Sequence, residues 1–286
     1  MKQAVRFEFG KLLRRPAMWW ATVAAAVMAI VFGYLIPYLV GPGTDGSAAG
    51  NNGAEAEPGE GYSVPLELLL PERLVENAIS GFPLFYLALA LVLGALSSGN
   101  EYQWRTIRSL ALWGRGRTTM IAAKALTLVV SVVLLAVAAF VAGAASALTI
   151  AAIEGASASP PPAVELVRGL AAAWLILAVG AGIGLAGGII ARSGGTVIGA
   201  GLVYLFVVEL LLRNFAAESE LIEAAAKVLP GTNAGSLAGS FAETAEGAPG
   251  VSDLVGATQA VVVLLAWLLV SIVAATATFT RRDISA

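Results

Sequence analysis

The run ALTLVVSVVLLAVAAFVAGAASALTIAAI, Ala125–Ile153, carries no charge anywhere between Lys124 and Glu154. A helix rises about 1.5 Å per residue, so roughly 20 apolar residues cross a hydrocarbon core, and this run is long enough to tilt or to extend past the bilayer. Its apolarity is continuous rather than alternating, which selects a helix over a barrel strand, because a helix satisfies its own backbone groups in lipid. Five more runs of the same kind stand at Ala17–Val40, Ala78–Ser98, Leu170–Ala191, Thr196–Leu212 and Ala257–Thr280. The sequence therefore predicts an all-α integral membrane protein of about six transmembrane helices. Composition agrees: 58% hydrophobic and 13% charged residues are more apolar surface than a soluble fold of 286 residues can hide. The chain has neither Cys nor His, which excludes disulfides, thiolate chemistry, zinc sites, catalytic triads and His proton shuttles.

Basic residues are retained on the cytoplasmic side of a membrane. With the amino terminus inside, that side holds Lys2, Arg6, Lys11, Arg14, Arg15, Arg105, Arg108, Arg115, Arg117, Lys124, Arg192, Arg281 and Arg282. Only Arg73, Arg168, Arg213 and Lys227 fall opposite, among most of the acids. Both termini are expected in the cytoplasm, with the first apolar run an uncleaved span, since it is too long for an ordinary signal core.

Outside the six-helix domain of residues 17–286, residues 1–16 predict an amphipathic interfacial helix. Val5, Phe9, Leu12, Leu13 and Pro16 share a face, Lys11, Arg14 and Arg15 lie elsewhere, and Trp19–Trp20 mark interface depth. The extracytoplasmic loop 41–77 begins rich in Gly, Asn and acid and regains apolar character after Tyr62. In segment 213–256, Phe215–Leu229 reads as a short amphipathic helix stopped by Pro230–Gly231, and Gly235–Phe241 starts a second; both are expected as surface or re-entrant helices.

Spans four and five form a hairpin through Arg192–Ser193–Gly194–Gly195. Gly180, Gly184 and Gly188 recur at the four-residue spacing that lets helices approach closely. Gly182, Gly184 and Gly187 also match G-x-G-x-x-G, but inside a span rather than between a strand and a helix, so packing is the reading kept. Near the end of span five, Glu209 and Arg213 are spaced as a same-face pair, a candidate ion pair in the outer leaflet.

The one large cytoplasmic loop, 99–119, places Glu101, Trp104, Arg105, Arg108, Trp113, Arg115 and Arg117 between two spans. Topology and anionic lipid account for its bases, but not for two tryptophans and an acid. The string from Glu101 through Thr106 to Arg108, with Arg117 and Ala123–Lys124 following, resembles the cytoplasmic loop of type-2 ATP-binding-cassette (ABC) exporter permeases. Arg105 stands where that family usually has Gly. Glu8–Pro16, Leu229–Pro230 and Phe279–Asp283 resemble the family's other short elements.

The resemblance implies a non-catalytic permease subunit. It implies cytoplasmic ABC ATPase partners that bind the ATP and Mg, a second permease subunit in a homo- or heterodimer, and a cell-membrane location. Coupling is expected through 99–119, with Glu101, Trp104, Arg105, Thr106, Arg108, Arg115 and Arg117 at the ATPase interface. The sequence has no G-x-x-x-x-G-K-[ST] phosphate loop, so no cofactor is expected on this chain; membrane lipid is an expected partner and nucleic acid is not. A secondary transporter and a membrane-embedded enzyme are the alternatives, the first calling for midplane charges or broken helices in repeated halves.

Overall fold

The computed structural model describes residues 2–40, 66–103, 117–215, 219–241 and 250–281. No strand occurs among them. Helix α1 is Lys2–Leu13. The first span, α2, is Pro16–Leu39; a short helix, α3 (Leu74–Ser80), precedes the second, α4 (Phe82–Glu101). Spans three to five are α5 (Thr118–Glu154), α6 (Ala163–Ala191) and α7 (Gly194–Arg213). Two short helices, α8 (Glu220–Ala226) and α9 (Pro230–Gly239), lead to the last span, α10 (Ala257–Arg281). All six expected spans are present. The third is longer than the apolar run alone, so Lys124 sits inside the helix, and the fourth begins at Ala163, placing Glu165 and Arg168 in its first turns.

Burial ranks the spans. The most apolar stretches of α6 and α4 are 78% and 72% buried, against 11% for α7, so α4 and α6 are the centre and α7 faces outward. The α4–α6 contact depends on missing side chains. A Cβ on Gly184 would strike the Leu91 carbonyl oxygen and lie 2.8 Å from the Ala95 nitrogen; one on Gly94 would strike the Ala181 carbonyl and lie 2.8 Å from the Leu185 nitrogen. Backbone therefore meets backbone, the geometry small residues allow in lipid, where dispersion rather than the hydrophobic effect drives helix association.

Three spans carry π-helical turns, at Ala29–Leu35, Phe82–Tyr86 and Tyr204–Glu209. One has a plain covalent cause. Pro37 has no N–H for the carbonyl of Gly33, and Asn77 Nδ2 donates to that carbonyl instead at 2.9 Å, pinning α3 to α2. The α6–α7 turn puts Arg192 at φ 54 and uses Ser193 as the N-cap, accepting from Thr196 N at 3.4 Å.

The segment before α10 differs from the sequence reading. Pro230–Gly231 opens a helix rather than only stopping one, because Pro is pre-organised for the first helical turn, where its absent N–H costs nothing. Nearly all of α9 is buried although it is small and polar, packed against α10, α3 and the start of α4. The carbonyls of the turn that leads into it are occupied: Asn233 Nδ2 donates to Lys227 O and Leu229 O, and Trp267 Nε1 donates to Val228 O at 2.9 Å. That satisfaction allows a short helix to lie within the bundle without spanning it.

Candidate functional site

A carboxylate taken out of water needs compensation. Glu101, near the end of the described part of α4, is 4% exposed and receives it, among the described residues, from three cations. Lys11 and Arg15 come from α1 and the bend after it, Lys124 from α5. Lys11 Nζ donates to Glu101 Oε1, as do Lys124 Nζ at 2.8 Å and Arg15 Nη2 at 3.1 Å. Glu8 completes the cluster, accepting from Lys124 at 3.2 Å, and the Ser97 carbonyl accepts from both Lys124 and Arg15 at 3.4 Å. Among the described residues three cations thus meet two carboxylates, and Lys124, Glu8 and Glu101 are all buried.

Each helix presents these groups for a local reason. Ala4, Glu8 and Leu12 form the face of α1 turned inward, with Lys11 one residue aside, so the face turned to the protein includes a carboxylate as well as apolar groups. This departs from the face expected at Val5, Phe9, Leu12 and Leu13: pairing with Lys124 outweighs the small gain from burying one more apolar side chain. Pro16 at the first turn of α2 bends the chain, and Trp19 Nε1 donates to Leu13 O at 2.8 Å, closing the end of α1.

The cluster joins the two stems of the loop that resembles a coupling element. Glu101 lies just before residues 104–116 and Lys124 shortly after them, so one ion pair ties the stems together and both to α1. Trp104, Arg105, Thr106, Arg108 and Arg115 lie outside the described residues. Arg117 is the first residue of the helix leading into α5. The convergence of Lys11, Arg15 and Lys124 on Glu101, with Glu8 on Lys124, is what sequence reading missed. The available signal was Lys124, a charge at the lip of an uncharged span, which requires a partner.

At the opposite end, Glu209 and Arg213 take backbone partners rather than each other. Glu209 Oε1 accepts from Thr232 N at 2.8 Å, and Arg213 Nη1 donates to Gly250 O at 2.8 Å. The physical reason is the start of α9, whose free N–H groups and positive dipole end attract the carboxylate more closely than a guanidinium one turn along can. Gly231 makes the approach possible, since a Cβ there would lie 2.7 Å from Glu209 Cδ. Gly231→Val is expected to destabilise the protein by roughly 1–3 kcal/mol, the range for overpacking, while leaving insertion intact. Thermal unfolding in detergent checks this; an unchanged midpoint would mean that α9 does not depend on this contact. Gly180 and Gly184 lie against Leu87 and Leu91 of α4, and Gly188 against Ser98 and Ala95.

No group of three or more His, Cys, Asp or Glu side chains able to hold a metal occurs among the described residues. The paired ions join α1, α4 and α5 at one end of the bundle. A family model described as ABC-2 family transporter protein matches residues 4–208. That span holds α1, the ion cluster and the first five membrane helices. No curated protein matches the sequence. The chain belongs to the ABC-2 transporter family, as a membrane-spanning permease.

Proposed function

We propose that this ABC-2 permease works in an ATP-driven exporter whose ATP is hydrolysed on separate cytoplasmic subunits, with segment 99–119 carrying their motion to the spans. The observation that supports this reading most is the Glu101 cluster. A push on the loop between residues 103 and 117 reaches α4 and α5 together, because the Lys124–Glu101 ion pair, 2.8 Å from Nζ to Oε1, ties the stems, and it reaches α1 through Lys11 and Arg15. In a low-dielectric setting, paired charges with fixed geometry give register, and parting them is costly. The rigid α4–α6 centre then passes the displacement to the outward-facing helices. A second permease subunit completes the pathway in this reading. The positive-inside distribution supports a cell-membrane protein with α1 and both termini in the cytoplasm.

Orientation is directly testable because the chain has no Cys. Cys at Ser159, exposed in the α5–α6 connection, is expected to react with an impermeant thiol reagent in intact cells. Cys at Gly195, exposed at the start of α7, is expected to react only after permeabilisation. Labelling in the reverse pattern would overturn the orientation. For function, the chain is purified in mild detergent from its source membranes and assayed for an associated ATPase. Arg108→Glu is expected to lower ATPase recovery, or ATP hydrolysis per complex, at least several-fold, with Arg282→Glu as the control. If Arg108→Glu matches the parent in a correctly inserted protein, loop 99–119 is only a topological marker.

A further inference from the structure

Beside the ion cluster a groove of about 670 Å³ opens between α1, the Pro16 bend and the adjoining end of α4. Its lining includes four cations, Arg6, Lys11, Arg14 and Arg15, and no acid. Lys11 and Arg15 are engaged by Glu101. Arg6 and Arg14 are exposed and make no ion pair with any described carboxylate. The other wall is apolar, with Leu93 and Leu96 of α4 and Phe7 of α1. Gly10 lines the groove between these walls, and a Cβ built on it would meet nothing within 4 Å, so α1 stands clear of α4 there.

We propose that this groove binds one anionic phospholipid of the leaflet on the α1 side, its phosphate held by Arg6 and Arg14 and one acyl chain against Leu96 and Phe7. Charge selects the headgroup: four cations without an acid disfavour an uncharged or zwitterionic occupant, and guanidinium groups grip phosphate through two parallel N–H donors. The apolar lining selects a lipid over a free anion, because a soluble phosphate leaves the partly exposed Leu96 and the 49% exposed Phe7 in contact with water. The volume falls in the range that takes a substantial part of an amphiphile. Position agrees, since the groove lies where an interfacial helix turns into a span, the level at which headgroups meet chains. A lipid seated there braces α1 against α4 next to the Glu101 cluster, so anionic lipid tightens the linkage between the loop stems and α1. The assignment to the cytoplasmic leaflet rests on the orientation proposed above; binding itself does not.

Native mass spectrometry of the purified protein, with whatever partner it retains, is run against dioleoylphosphatidylglycerol and dioleoylphosphatidylcholine. The parent is expected to retain phosphatidylglycerol in preference to phosphatidylcholine. R6Q/R14Q, altered only at exposed side chains, is expected to lose about thirty-fold in phosphatidylglycerol affinity, about five-fold for each cation, with its thermal midpoint unchanged. Gly10→Trp, which fills the groove and keeps every cation, is expected to lose phosphatidylglycerol as well. Equal retention of the two lipids, or parent-like binding by both variants, would overturn the proposal. So would inorganic phosphate competing at millimolar concentration as well as the lipid, which would indicate a free-anion site. If the retained ATPase, rather than lipid, crosslinks to a photoreactive residue at Arg14, the groove is a protein-docking surface and the proposal falls. A reversed thiol-labelling pattern would move the site to the other leaflet without altering these binding results.

Discussion

Glu101→Ala is expected to cost the purified protein about 3–5 kcal/mol, the price of leaving buried charge unpaired, and to abolish coupling between ATP hydrolysis and transport. Lys124, 7% exposed, would keep only Glu8 as an acidic partner, and Lys11 and Arg15 would lose the carboxylate that draws them inward. Glu101→Gln preserves shape and removes only charge, so a similar loss would identify electrostatics rather than packing as the cause. The double variant Glu101→Gln/Lys124→Met removes an acid and a base together, and is expected to be more stable than the sum of the single losses predicts. Thermal unfolding in detergent for the parent and three variants measures this. Additive losses would mean that the cluster's ions are independently solvated.

The second large effect is expected at the centre of the bundle. Gly184→Leu drives a branched side chain into the Leu91 carbonyl and the Ala95 nitrogen, both backbone atoms that cannot swing aside. Ordinary overpacking costs about 1–3 kcal/mol; here two helices must separate, and the loss is expected to exceed that range. Gly195→Leu, at an exposed site with nothing within 4 Å of the added Cβ, is the matched control and is expected to be nearly silent. Measuring the folded yield and thermal midpoint of both variants separates a packing requirement from a general intolerance of leucine for glycine. Equal behaviour would mean that the α4–α6 approach is not a determinant of stability.

The spans were legible because lipid leaves a chain few options. Runs such as Ala125–Ile153 have to be helices, and their number follows from their length. Interruptions of that rule were less legible. Helix α9 is short and polar, and inside the bundle Glu209, Asn233 and Trp267 each meet a backbone group at or just before its start, a closure between distant segments that hydropathy does not register. Helical spacing placed Glu209 and Arg213 on one face and suggested a pair, yet the start of α9 offered the carboxylate a better partner. The protein-facing side of α1 was not legible for a related reason. Periodicity scores Glu8 as polar and therefore outward, whereas Lys124, more than a hundred residues away, makes burial favourable. Glu101 was singled out by resemblance, but its partners were fixed by three-dimensional convergence.

The central claim is that a separate ATPase docks on the end of the bundle bearing segment 99–119. Photocrosslinking in native membranes tests it most directly, with a photoreactive residue placed singly at Arg108 or at Ser159. The account predicts a crosslink from Arg108 to a chain that carries a phosphate loop and hydrolyses ATP, and none to that chain from Ser159. Capture of the ATPase from Ser159, or no capture from Arg108 in a complex that still hydrolyses ATP, would contradict it.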